Sequence, residues 1–264
     1  MRLSKRGLLL ALALALTPLL AGPAAAQNQL ATITETKVVK IGIPTDYPPY
    51  GFVGVDLQPM GLDVDVANLI GAKLGAKVEL VPVVSANRIP YLQTRKIDLV
   101  VSTLGKNEER QKIIDFSVAY APFYQGIFAP KATSVKSFDD LAGKTVAVTR
   151  GAMEDEMLAK VAPPGTQVQR FEDQAATTAA FAAGQTQVIA TSVSNIGILS
   201  RKNPNLGAEY KLLLRDSPCF VGIAKGEEAL RGKINEILLA AKADGTLEAL
   251  AQKWLKRGIG DLPL

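Results

Sequence analysis

Short apolar runs alternate with segments of helical apolar spacing between residues 38 and 102, and the same rhythm restarts near residue 145. "VVKIGI" (38–43), "KVELVPV" (77–83) and "KIDLVVS" (96–102) read as buried strands. Between them, "GLDVDVANLIGAKLG" (61–75) places Leu62, Val66, Leu69, Ile70 and Leu74 on one helical face, with Asp63 as its expected cap. "NRIPYLQTR" reads as a short helix, because Pro90 suits a first turn. Such β-α-β-α-β alternation with tight connections specifies a parallel α/β sheet. The second series predicts strands at 145–150, 167–171, 187–191 and 211–215, with helices at 152–160, 174–183 and 193–202. Two extended apolar strands, "PFYQGIFAP" (122–130) and "CFVGIAKG" (219–226), link the series, and two amphipathic helices (227–243 and 246–257) close the chain. The expected organisation is two α/β lobes with a cleft between them. The first covers residues 37–125 plus 223–258, the second 128–220. Residues 28–36 are polar and are expected to be loose.

Residues 1–26 stand apart. Lys5 and Arg6 precede the ten-residue apolar run "GLLLALALAL", and "AGPAAAQ" supplies small residues for cleavage after Ala26. This three-part pattern is that of a secretory signal peptide, and the run is too short to span a bilayer. Removing it takes Arg2, Lys5 and Arg6 from the 30 basic residues and none of the 25 acids, leaving a net charge of +2. With no basic block interleaved with aromatics, nucleic acid is not an expected partner. The single cysteine, Cys219, excludes an internal disulfide, and the absence of histidine excludes His-based triads and imidazole metal sites.

Several local motifs carry little. "AGKT" (142–145) lacks the glycine that a phosphate loop needs at position 138, which is Phe, and it precedes a strand instead of a helix. Asp63 and Asp65 point to different helix faces and are expected to cap the helix or face solvent. Cys219 has no histidine to activate it and reads as a small buried side chain. "VVSTLGKNEER" (100–110) carries more. A strand end leads through Ser102, Thr103 and a glycine into a helix start at Asn107, with Arg110 in the first turn. Backbone amides at such a corner, two hydroxyls and a planar guanidinium fork suit a carboxylate, although capping hydroxyls and a surface salt bridge would use the same residues.

Five segments in order, "VVKIGIPTDYPPYGF", "GLDVDVANLIGAKLGAKVELVPV", "IPYLQTRKIDLVVSTLGKNEERQKIIDFSVAY", "SFDDLAGKTVAVTRGAMEDEML" and "AKADGTLEALAQKWL", resemble the polar amino-acid-binding family of periplasmic solute-binding proteins that feed ABC importers, extracellular solute-binding protein family 3. The resemblance implies a type II periplasmic-binding-protein fold: two α/β lobes on two hinge strands, closing over one small solute. It implies a periplasmic, monomeric, non-catalytic receptor with an inner-membrane ABC permease as partner and no cofactor or metal. In that family the arginine of the S-x-x-x-x-x-x-x-R segment clamps the ligand's α-carboxylate. Arg110 matches it, with Ser102 and Thr103 beside it. The aromatic of "YPPY" packs on the ligand's alkyl part, and Tyr47 matches that.

The departures bear on the ligand. The family's "GTT" at the second lobe's site is Gly151, Ala152 and Met153 here, and the carboxylate that usually receives the ligand's ammonium group aligns with Ser192. "SANRIP" (85–90) resembles the glutamate/aspartate-binding branch, in which Arg88 and its partner Ser85 would hold a side-chain carboxylate. Two arginines facing one pocket favour a ligand with two negative groups. An acidic or polar amino acid is therefore expected, with Glu154 or Asp155 as an alternative ammonium acceptor and Arg150 as a third, weaker cation. Two rivals follow from the missing carboxylate: a receptor for an amine-free organic acid, and an enzyme on the same scaffold, such as a cyclohexadienyl dehydratase, with Glu154 or Asp155 as general acid. A sensory module is a third reading, with no signalling segment after residue 257 to favour it.

Overall fold

A computed structural model describes residues 28–262. The expected leader, residues 1–26, lies outside the described residues. Among those described, no helix is long and apolar enough to cross a membrane.

The two series build two five-stranded sheets of one plan. In the first, Lys77–Pro82, Val38–Ile43 and Leu99–Val100 run parallel, and Cys219–Ala224 then Ile114–Ala121 complete it by antiparallel pairing. In the second, Gln167–Phe171, Thr145–Thr149 and Val188–Ser192 run parallel, followed by antiparallel Tyr124–Pro130 and Ala208–Asp216. The sheets are therefore mixed, where the alternation predicted parallel ones. Short two- and three-residue strands at 46–53 and 59–60 form a small third sheet beside the first.

The chain passes from one sheet to the other at Pro122–Phe123 and returns at Ser217–Pro218. We propose these crossings as the lobe boundaries. They fall a few residues before those expected, because Tyr124–Pro130 pairs wholly within the second sheet and Cys219–Ala224 wholly within the first.

Each sheet has its own core. In the first, Val39, Ile41, Ile43, Leu99, Val100 and Ile223 are sealed by helix Leu62–Leu74 and by the apolar faces of Glu228–Ala243 and Thr246–Leu255. In the second, Ile127, Val146, Val148 and Val188 pack with Leu158 on one face, while Phe128, Ile189, Phe181 and Ile196 fill the other. Residues 28–36 are not loose. Gln29–Thr36 is a helix capped by Asn28, whose Oδ1 accepts from the Ala31 amide. Ile33 is its buried anchor, and Gln29 bonds to Glu227 and Asp98.

The parallel strands of both lobes direct their C-terminal ends at each other. Ligand sites of open α/β sheets form at that edge, and the candidate residues lie at or beyond the ends of strands.

Candidate functional site

The corner after Leu99–Val100 is held from beneath by Asp63. This residue is fully buried and does not cap its helix. Gly61 occupies the cap position, because helix Leu62–Leu74 enters directly from the short hairpin. Asp63 Oδ2 accepts from the Thr103 amide at 2.9 Å, and Oδ1 accepts from the Tyr120 hydroxyl at 2.7 Å. Thr103 has a φ of +42°, a strained value for a β-branched residue that persists only where neighbours enforce it. Burial lifts the Asp63 carboxyl to about 6 against the lowering effect of those two hydrogen bonds. The Arg110 amide is also taken, by Asn107 Oδ1 at 2.8 Å. Neither the Thr103 nor the Arg110 amide is therefore free for an anion, and at this corner Ser102 and Thr103 line the space between the lobes.

Tyr47, Ser85, Ser102 and Thr103 from the first lobe meet Thr149 and Gln174 from the second around a cavity of about 10 Å³, room for roughly one water. The lobes are thus closed on each other in this structure. Asp46 Oδ2 crosses to the start of helix Gln174–Ala182, accepting from the Gln174 and Ala175 amides at 2.7 and 3.3 Å. The Ser192 amide donates to the Tyr47 hydroxyl at 3.3 Å. Gly151 lies so close to Ala86 that a Cβ there would stand 2.9 Å from the Ala86 Cα.

Arg88 is no solvated helix residue, being 3 % exposed. Its Nε donates to the Ser85 carbonyl at 3.2 Å, and its Nη1 donates to the Ser102 carbonyl. It braces the backbone behind both serines. Burial first, and the nearby Arg110 charge second, lower its pKa to about 10.

Arg110 is also buried, and the group it grips comes from the second lobe. Its Nε and Nη2 both reach Glu156 Oε1, at 3.0 and 2.7 Å. Nη1 donates to the Gly105 carbonyl at 3.1 Å and Nη2 to the Gly151 carbonyl at 3.2 Å. Asn107 Nδ2 holds the other Glu156 oxygen at 2.6 Å.

Ala152 caps helix Met153–Val161, which brings four candidates to the cleft edge. Ala152 and Met153 are buried there, with the Met153 sulfur 3.6 Å from Asn107 Nδ2. Glu154 is 3 % exposed, and its Oε1 has no hydrogen-bond partner. Burial raises its carboxyl to about 7 despite its own backbone amide, Arg88, Arg110 and Gln125, which all favour the ionised form. Asp155 turns away to Arg170 and the Gly151 amide, so of the two acceptors weighed from sequence only Glu154 faces the arginines. The Ser192 hydroxyl accepts from the Asn195 amide at 3.1 Å and so caps helix Val193–Lys202. Arg150 is half exposed beside Glu172 and lies outside the site.

Sequence reasoning missed Glu156 and the bracing role of Asp63. A signal for Glu156 was present: it follows Met153 by one helical turn, so both share a face.

The cleft therefore gathers two arginines from the first lobe and two glutamates from the second. The premise of two uncompensated cations, which favoured an acidic ligand, does not hold here.

Two mixed sheets of one plan, crossed twice by the chain and closed on a buried cleft, define a two-lobed periplasmic binding protein of type II. The family model for bacterial extracellular solute-binding proteins, family 3, matches residues 39–257, and the chain belongs to that family. It is 29 % identical to an ABC transporter glutamine-binding protein of Bacillus subtilis, over 87 % of this chain and 85 % of that one. Among solved structures, it matches an ancestral arginine-binding protein bound to arginine at 32 % identity and a TM-score of 0.78, covering 83 % of this chain and 98 % of that one. It also matches an ancestral amino-acid-binding protein described as a precursor of cyclohexadienyl dehydratase, at 29 % identity and a TM-score of 0.77, covering 86 % and 99 %.

Proposed function

We propose that this chain is the periplasmic receptor of an amino-acid ABC importer and captures one polar amino acid, as its zwitterion, by closure of the lobes. The observation that carries this reading is Glu154, a buried carboxylate with an unpartnered oxygen that faces Arg88 and Arg110 from the opposite lobe. A zwitterion fits that division of charge. Arg110, with the Ser102 and Thr103 hydroxyls, receives the ligand carboxylate, and Glu154 receives the ammonium group in place of the acid missing at Ser192. Tyr47 covers the alkyl part, and Ser85, Ala152 and Met153 complete the walls. The glutamine- and arginine-binding relatives support an amino acid as the ligand. Glu154 and Glu156 argue for the polar over the acidic choice, because they already balance the arginines. The receptor acts as a monomer, requires no cofactor and presents its closed form to a membrane permease.

The test is a thermal-shift and calorimetric panel on the mature protein, unfolded and refolded to strip carried-over ligand. The panel covers amino acids, dicarboxylates and amine-free acids. A ligand at a hundred times its Kd adds about 2.7 kcal/mol of stability, a shift of several degrees. We expect a neutral polar amino acid to give that shift and Glu154→Gln to abolish it. A response to amine-free acids alone would remove the amino acid from the reading.

One observation favours a second reading. A carboxyl with a pKa of about 7 in a closed pocket is matched to donating a proton at neutral pH, which suits an eliminating dehydratase on this scaffold. Turnover of prephenate or arogenate by the purified protein decides for it.

A further inference from the structure

We propose that Glu156 determines the charge class of the ligand: it is a built-in carboxylate that a ligand carboxylate must displace from Arg110, and it makes the site select against a second acidic group. This rests on the amino-acid reading above and goes further, to which amino acids are refused.

A guanidinium has five N–H donors. Arg110 places four of them, two on Glu156 Oε1 and one each on the Gly105 and Gly151 carbonyls. One remains. While Glu156 stays, Arg110 cannot hold a ligand carboxylate in two parallel bonds. A carboxylate that docks there must replace Glu156, like for like.

The two partners are unequally free to move. The Arg110 side chain is 5 % exposed, whereas that of Glu156 is 36 % exposed. Arg110 is also anchored within its own lobe by the Gly105 carbonyl. Glu156 is therefore the group that swings aside toward solvent. It does not go far, because its helix is fixed at the cleft edge by Met153 and Ala152. From there it still repels negative charge.

Arg88 offsets that repulsion only in part. Its Nε and one Nη1 N–H are committed to the Ser85 and Ser102 carbonyls, and the donors it has left already lie beside Glu154, which a second ligand carboxylate would have to approach. Asp46 and Asp173 line the small cavity beside Tyr47, Ser102 and Thr103, which makes that space unfavourable for an anion as well. A ligand of zero net charge pays only the displacement of Glu156: its carboxylate replaces that of Glu156, and its ammonium group offsets Glu154.

The experiment measures the affinity of the refolded mature protein and its Glu156→Gln and Glu156→Asp variants for glutamine and glutamate by calorimetry. In the wild type, glutamate should bind at least tenfold more weakly than glutamine. Glu156→Gln should tighten both, and should improve glutamate at least tenfold more than glutamine. Glu156→Asp keeps the charge and should keep the wild-type preference. A Glu156→Gln variant that weakens both ligands alike would make the residue a structural brace and overturn the proposal, as would an unchanged glutamate-to-glutamine ratio. A wild type that binds no amino acid of the panel overturns the underlying reading and this inference together. Binding with an unchanged ratio overturns this inference alone.

Discussion

Glu154→Gln should stabilise the ligand-stripped protein while destroying its capacity to bind. A glutamate carboxyl titrates near 4.5 when unfolded, whereas that of Glu154 is raised to about 7 in the fold, with burial the largest cause. Below pH 4.5 the group is protonated in both states and has no effect on stability. Between 4.5 and 7 the unfolded chain has released the proton and the native state retains it, so stability falls as pH rises. Above 7 both states are ionised and the full penalty stands, about 3 kcal/mol for a shift of this size. The groups facing Glu154 do not complicate the window. Arg88 keeps its charge, and burial keeps Tyr47 and Cys219 neutral throughout. Asp63 adds its own fall in stability as pH rises toward 6, but that contribution is common to both proteins and cancels in their difference. Glutamine keeps the shape and removes the charge. Urea unfolding should therefore give equal stabilities near pH 4.5 and an advantage of about 3 kcal/mol for the variant at pH 8. For a chain of this size that corresponds to a Tm rise of about 6–12 °C. A variant equal to or weaker than wild type at pH 8, or a difference that does not grow between pH 4.5 and 8, would refute the placement of a desolvated carboxylate in this cleft.

Three further outcomes follow from the closed geometry. Arg110→Ala should weaken any carboxylate ligand by about 2–5 kcal/mol, the cost of removing one partner of a buried charge pair; unchanged calorimetric affinity would take Arg110 out of the site. Gly151→Ala should cost about 1–2 kcal/mol of stability, because φ is +70° there. It should also lower ligand affinity at least tenfold, because the new methyl would meet Ala86 across the cleft; wild-type affinity would show that this approach is not part of closure. Asp46→Ala removes a carboxylate from the start of a helix in the opposite lobe. It should weaken ligand binding by about 0.5–2 kcal/mol while leaving the unliganded thermal stability of each lobe nearly unchanged; a large loss of stability with intact binding would contradict its role as a cross-lobe contact.

The α/β architecture was legible because its signals are local. Runs such as "VVKIGI" and "TVAVTR" are short, rich in β-branched residues and mostly apolar, as strands covered on both sides tend to be, and the helices between them repeat at 3–4 residues. The antiparallel partners were less visible, because Ala208–Asp216 exposes much of its length and carries only a weak apolar pattern. Gln29–Thr36 was read as loose since a single buried residue, Ile33, anchors it, and its remaining support comes from Asp98 and Glu227, far along the chain. The same distinction applies to the site. Ser102, Thr103 and Arg110 lie within nine residues of one another and announce a corner. The acids that complete it are remote: Asp63 supports Thr103 from 40 positions away and Glu156 meets Arg110 across 46. A reading that set two arginines in one pocket, with Glu154 weighed only as an alternative ammonium acceptor and Glu156 unnoticed, inferred an acidic or polar ligand. Only the folded chain sets both glutamates against those arginines.

That balance gives the pH dependence of binding a sign that depends on the ligand's chemistry. An ammonium group needs Glu154 ionised. Below pH 7 the cleft holds Glu154 largely protonated, so a zwitterion must expel that proton on binding, and its affinity should rise with pH by up to tenfold per unit before levelling above about 7. An amine-free acid makes the opposite demand. It would replace Glu156 on Arg110 and leave Glu154 facing a second anion, which protonated Glu154 tolerates and ionised Glu154 does not. Its affinity should therefore be greatest below pH 7 and fall above it. Calorimetry between pH 5.5 and 8.5, in buffers of differing ionisation enthalpy, reads both the slope and the proton released or taken up. A rising slope with proton release identifies an amine-bearing ligand. A falling slope with proton uptake would assign the receptor to organic acids. A flat profile with no proton exchange would show that Glu154, for all its position between the lobes, does not touch the ligand.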